Sequence, residues 1–204
     1  MGIYNNITLI KDNVNLGEFI DRTIAAVSED NLSGITSIGN RAFAGCTSLT
    51  SITIPNSVTT IDDDAFFRCE NLTNVTLSNN ITVLSGGMFN YCSSLTNITI
   101  PEGVVRMDLS AFADCTSLTN VIVPSTITNM GMSTFMDCTK LTSVTVLATT
   151  PPIVWGAQST NPTFENTPII NGNGYIYVPA NSVNAYKAAT GWSSYANKIV
   201  AIPE

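Results

Sequence analysis

The chain has 204 residues, 44% of them hydrophobic, and sets eight basic side chains against fifteen acidic ones for a formal charge of -7. Charged residues make up only 11% of it, so the surface must be built mainly from Ser, Thr and Asn, and no Lys/Arg cluster exists to displace counterions from nucleic-acid phosphate or to sit on an anionic membrane. Histidine is absent, which removes Ser-His-Asp and Cys-His devices and mixed Cys/His zinc sites.

The longest apolar runs fall well short of the roughly 18 residues needed to span a bilayer. The start lacks a charged segment followed by an apolar one of signal-peptide type. Either a leader has been removed, with Met1-Gly2 left as a cloning remnant, or export does not use that route.

Residues 1–34 are read as an N-terminal cap. Leu16, Phe19, Ile20, Thr23, Ile24 and Val27 recur at a spacing near 3.6, which predicts an amphipathic helix with Asn15 as its N-cap. The segment TIAAV (23–27) fits a short strand, a zeroth rung, equally well. In either form it would cover a sheet edge that otherwise invites aggregation.

From residue 35 to 149 one 23-residue unit is written five times, beginning at Ile35, Val58, Ile81, Val104 and Ile127. Phe43, Phe66, Phe89, Phe112 and Phe135 hold one repeat position; Cys46, Cys69, Cys92, Cys115 and Cys138 a second; Leu49, Leu72, Leu95, Leu118 and Leu141 a third. A fixed period of this length is the signature of a solenoid, in which each unit buries its apolar face against the next.

Within each unit, residues 49–54, 72–77, 95–100, 118–123 and 141–146 end in strict alternation and predict strands, with pairs such as Ile52 and Ile54 or Val121 and Val123 inward. Pro55, Pro101 and Pro124 stop the pairing, and Ser78 and Leu147 take that place in the other copies. An apolar pair follows, Val58 with Ile61 or Ile81 with Leu84, and then a loop carries Phe and Cys back to the next strand. Stacked at about 4.8 Å, five rungs predict a parallel sheet roughly 25 Å long.

Three columns point outward from that sheet. Thr50, Thr73, Thr96, Thr119 and Thr142 form one; Ser51, Asn74, Asn97, Asn120 and Ser143 the next; Thr53, Thr76, Thr99, Ile122 and Thr145 the third. Hydroxyl and amide ladders can satisfy one another, and β-branched Thr suits strands whatever a protein binds. The same flat, uncharged face suits contact with protein or glycan, and these fifteen residues are the candidate interaction face.

Other features have plainer readings. Five cysteines in a core column, without His or C-x-x-C spacing, read as small buried hydrophobes rather than as disulfides or a metal site. Asp62-Asp63-Asp64 lacks a calcium-loop pattern and reads as a solvated turn. Asn6, Asn31, Asn71, Asn74, Asn80 and Asn97 match the glycosylation sequon, as expected by chance in a chain rich in Asn and Thr. Trp155 and Trp192 could anchor an interface, but packing within the cap is the better account of both.

Residues 150–204 are read as a C-terminal cap. A Pro/Gly/Asn-rich loop comes first, with Phe164 standing in for the repeat Phe. GYIYVPANS follows as one more strand, with Ile176 and Val178 inward. Val183, Tyr186, Ala189 and Trp192 then share a face of a short helix ended near Gly191.

The run of a Val/Ile-T-x-Ile element, then AF, then xxC, then xLTSITIP resembles the BspA-type leucine-rich repeat of surface proteins from anaerobic and gut-associated bacteria, some protists and phages. The resemblance covers residues 35–149 and departs from the pattern at Met88, Thr134, Ser78 and Leu147. It implies a leucine-rich-repeat solenoid, mostly β with short irregular or 3-10 returns and small helical elements in the caps. It also implies a secreted or surface-exposed protein used for adhesion or protein recognition, with no catalytic centre. The expected function is thus a non-enzymatic module that presents its polar ladder to a protein or glycan on a host or neighbouring cell, without metal or cofactor, nucleic acid or membrane insertion. The alternative is a structural or receptor-binding part of a phage virion or tail, for which the missing leader is the hint. An enzyme would have to work from Asp, Glu, Lys, Tyr or Ser alone, and no two carboxylates recur as a convincing pair.

Overall fold

A computed structural model describes residues 25–155 and 162–204. Each copy of the repeat makes one turn of a coil, and like strands of successive turns pair in parallel. On one side Ala26–Val27, Ser51–Thr53 and Asn74–Thr76 form one ribbon, and Asn120–Val123, Ser143–Val146, Tyr175–Val178 and Ile199–Ala201 form another. The register advances one repeat per step, Ser51 facing Asn74 and Asn120 facing Ser143. Alternation sets the faces: Ile52, Val121, Val144 and Ile176 are buried in one inward column. The strand expected over residues 95–100 is reduced to a bridge between Thr99 and Ile122, a shortening that nothing in its side chains explains.

The apolar pairs that follow each strand are themselves short strands and make a second, narrower row. Ser37–Ile38 pairs with Thr60–Ile61, while Val83–Leu84, Arg106–Met107, Asn129–Met130 and Ile153–Val154 run on in parallel. Each supplies one inward residue, the buried Ile38, Ile61, Leu84, Met107, Met130 and Val154. Both rows break at the same joint, between the second repeat (58–80) and the third (81–103). The return loops do not break there. Asp64 donates its N–H to Gly86 O at 2.8 Å, and Phe66 and Arg68 donate theirs to Met88 O and Asn90 O at 2.9 Å. The coil therefore has a seam, closed along its loops and open along its strands.

The loops carry the interior. Phe43, Phe66, Phe89, Phe112, Phe135 and Phe164 stack with centroids 5.2, 5.3, 5.5, 5.6 and 5.7 Å apart and planes within 12° of parallel. Parallel rings touch at about 3.5 Å, so centroids this far apart mean offset stacking, the arrangement the ring quadrupole favours. Phe164 takes the place expected of it, and Tyr195 closes the column edge-on at 5.1 Å. Beside the rings, Cys69, Cys92, Cys115 and Cys138 each donate an S–H to the phenylalanine carbonyl of the preceding rung at 3.1–3.3 Å. All five cysteines are buried thiols, none joined in a disulfide. Burial, with the neighbouring thiol, pushes Cys69, Cys92 and Cys115 well up, and burial pushes Cys138 up to about 12.

At the N-terminal end Val27 faces Ile52 as a strand residue, so the strand alternative for 23–27 describes the residues seen there. The helix expected from Asn15 lies outside the described residues up to position 24 and does not reach Val27. At the other end Tyr175–Val178 forms as expected, with Ile176 and Val178 buried. The helix expected as far as Gly191 covers only Val183–Ala188. Ala189 turns extended and Gly191 takes a φ of 83°, which a residue without Cβ adopts freely. That turn folds Trp192 back onto Tyr186 at 5.1 Å, with its indole N–H donated to Pro152 O at 2.8 Å. Ile199–Ala201 then adds a rung that periodicity did not indicate.

Replacing Phe89, the third ring of the column, with Ala should destabilise the fold by about 3–5 kcal/mol; an unchanged urea midpoint would show that the stack contributes nothing. A thiol reagent should leave all five cysteines unmodified in buffer and label all five in denaturant, since burial disfavours the thiolate that reacts. Rapid labelling of the native protein would contradict the burial.

Candidate interaction faces

The strand row turns its three polar columns outward, and all fifteen candidate residues are exposed or half-buried. Their hydroxyls are not equally free. Thr50 Oγ1 donates to Ala25 O at 2.8 Å, Thr73 to Thr50 O at 3.0 Å, Thr119 to Thr96 O at 3.3 Å and Thr142 to Thr119 O at 3.3 Å. The second column leans on the first: the amides of Asn74, Asn97 and Asn120 each donate to the preceding Thr hydroxyl at 3.1 Å. The first column thus splints the backbone across rungs, while the asparagine bonds stay within their own rung. The third column, Thr53, Thr76, Thr99 and Thr145, makes no such side-chain bond among the described residues. Ile122 breaks it with 55% of its surface exposed.

The ladder then turns aromatic. Tyr175 pairs with Ser143 and Tyr177 with Thr145, so the second and third columns continue into two phenol rings 6.3 Å apart, with Lys198 Nζ 5.8 Å from the Tyr175 ring and Val200 beside Tyr177 on the last rung. Strand alternation in GYIYV placed these tyrosines outward, but periodicity did not mark them as part of the face.

The second row exposes a different chemistry. Val105, Leu109, Ile153 and Trp155 are exposed. Trp155 was expected to pack in the cap like Trp192; instead it stands half exposed. The reason lies in its row. Trp155 N–H bonds Met130 O just as Gly131 N–H bonds Met107 O and Asp108 N–H bonds Leu84 O, so Asp108, Gly131 and Trp155 follow one another. Gly131 carries no side chain to separate its neighbours, and the indole comes within 5.8 Å of the Arg106 guanidinium. Arg106 Nε in turn lies 2.9 Å from Asp108 Oδ1, an ion pair without the alignment of a hydrogen bond. These groups, with Asp63, Asp64, Gly86, Gly87, Asn90 and Ser110, line a cleft of about 520 Å3.

The acidic run is engaged in that wall. Asp63 Oδ1 accepts the Gly86 N–H at 2.8 Å, and Asp64 Oδ2 lies 3.5 Å from Arg41. Among the described residues no group of three or more His, Cys, Asp or Glu is placed to hold a metal ion, and no helix is long and apolar enough to cross a membrane.

Parallel rungs wound around columns of leucine, phenylalanine and cysteine define a leucine-rich-repeat solenoid. The family model described as the BspA type leucine rich repeat region matches in six copies over residues 27–150. The chain belongs to that family. The match begins at Val27, in the stretch that the repeat pattern alone assigns to the cap. A leucine rich cell surface protein from Faecalibacterium prausnitzii is 34% identical over 60% of this chain and 32% of its own, with a TM-score of 0.58. The leucine rich repeat protein of T. pallidum is 29% identical over 60% of this chain and 59% of its own, with a TM-score of 0.57. The chain thus spans less than two thirds of either relative. No curated protein matches it.

A Cβ on residue 131 would sit 2.4 Å from the backbone nitrogen of Leu109. Gly131→Ala should therefore cost about 1–3 kcal/mol, measured by thermal or urea unfolding. Wild-type stability in that variant would show that the two rungs are less tightly apposed.

Proposed function

We propose that the protein is a non-enzymatic recognition module of a bacterial surface, which holds a protein partner on a host or neighbouring cell along its outer strand row. The observation that carries this reading is the third outward column, whose free threonine hydroxyls, exposed Ile122 and Tyr177 lie on a backbone that the first column splints on either side of the seam. A face whose geometry is set before contact loses little freedom on binding, so weak polar contacts can add up. Ile122 and Tyr175 supply the apolar and aromatic anchors around which such contacts concentrate. The family and the surface protein of F. prausnitzii support a place outside the cell.

The test compares capture by the wild type and by a variant carrying Thr53→Lys, Thr76→Lys and Thr99→Lys. These three outward side chains make no side-chain hydrogen bond among the described residues, so the variant should melt with the wild type while losing the protein partner that the wild type retains from host or bacterial lysate. Equal retention by both would remove this face from the interaction.

A further inference from the structure

The seam between the second and third repeats has an opening beside it. The cleft of about 520 Å3 is of the size in which small ligands are held. It exists because of one departure from the repeat. Asn40, Asp63, Leu109 and Met132 occupy one position in the other copies, and the third copy has Gly86 there, followed by Gly87. The missing side chain at 86 leaves a notch between Asp63 and Leu109, while the place of a side chain at 87 is taken by the Asp64 carboxylate, whose Oδ1 lies 2.2 Å from where a Cβ would sit.

The lining combines an apolar plate with converging polar groups. Trp155 is 50% exposed and Leu109 is 53% exposed. The three carboxylates are not an open negative patch: Asp108 is paired with Arg106, Asp64 with Arg41, and one oxygen of Asp63 takes the Gly86 N–H. They act as oriented acceptors with one oxygen left over. Asp63 alone is without a cationic partner, so a cationic ligand finds a single unmatched charge and an anionic one is repelled by it. What fits is an uncharged molecule with many hydroxyls and one C–H face. A pyranose ring has both, with polarised C–H groups to lie on the negative face of an indole and hydroxyls to donate to Asp63 and Asp108 and to accept from Arg106.

We infer that this cleft binds a short neutral saccharide, on a row separate from the proposed protein-binding face and independent of it. The chain has two tryptophans, and Trp192 is buried, so emission sensitive to solvent comes from Trp155. The full chain is screened by fluorescence titration against a panel of neutral oligosaccharides, including cellotriose, mannotriose and N-acetyllactosamine, with sialyllactose as the anionic comparison and tetralysine as the cationic one. At least one neutral sugar should shift the emission to the blue and saturate, while sialyllactose and tetralysine do not. Gly86→Leu places the next rung's residue in the notch and should weaken binding by about tenfold or more. Trp155→Ala, read by calorimetry, removes an exposed ring and should do the same. The triple lysine variant of the strand row should bind the sugar as the wild type does. The inference fails if no neutral saccharide on the panel binds, if both cleft variants bind unchanged, or if tetralysine is preferred, which would make the site one for basic peptides.

Discussion

Each return loop must set its phenylalanine onto the one before, and the rest of the coil follows from that requirement. To do so the loop passes twice through left-handed backbone, at Arg41, Asp64, Gly87, Ser110 and Ser133 and again at Gly45, Arg68, Tyr91, Asp114, Asp137 and Asn166, with φ between 56° and 71°. Only two of these eleven residues are glycine. For the others the conformation costs roughly 1–2 kcal/mol each. It is held because it aims the intervening amides at the next rung: the N–H groups of Phe43, Phe66, Phe89, Phe112 and Phe135 all find carbonyls of the following loop at 2.7–3.0 Å. No rung can hold such a loop alone. The ring stack and the amide ladder stabilise one another across neighbours, which is why the period never slips.

That dependence also decides what could be read before any coordinates. Positions used for stacking admit few residue types, so the Phe, Cys and Leu columns repeat and the architecture is written in them. Phe164 was legible for the same reason despite the lost period, because a sixth ring must end the column. The second strand row was not, since strands of two residues carry no alternation to count. Nor was Ile199–Ala201, whose pairing is set by a partner distant in sequence. Trp155 misled because a tryptophan in a cap is ordinarily buried; what exposes it is the bare Gly131 one rung away in the same row.

The polar ladder shows how one column can be structural and its neighbour available. Thr73, Thr119 and Thr142 bond backward to the preceding rung, and the asparagines bond to the threonines. A partner that took those hydroxyls would first have to break bonds that splint the sheet. The third column asks for no such exchange. Contacts to Thr53, Thr76, Thr99, Ile122 and Thr145, and to Ser51 and Ser143 in the second column, break no side-chain bond among the described residues.

The departures from the repeat then take on a meaning that the repeat itself lacks. A buried column that breaks its consensus changes packing, as Met88 and Thr134 do within the core. An exposed one changes only what the surface offers. Ile122, Tyr175 and Tyr177 gather on one row; Gly86, Gly87, Arg106 and Trp155 gather around one cleft on the other. A missing side chain, a guanidinium and an indole from three different rungs thus meet at one opening, which the repeat alone would not place there.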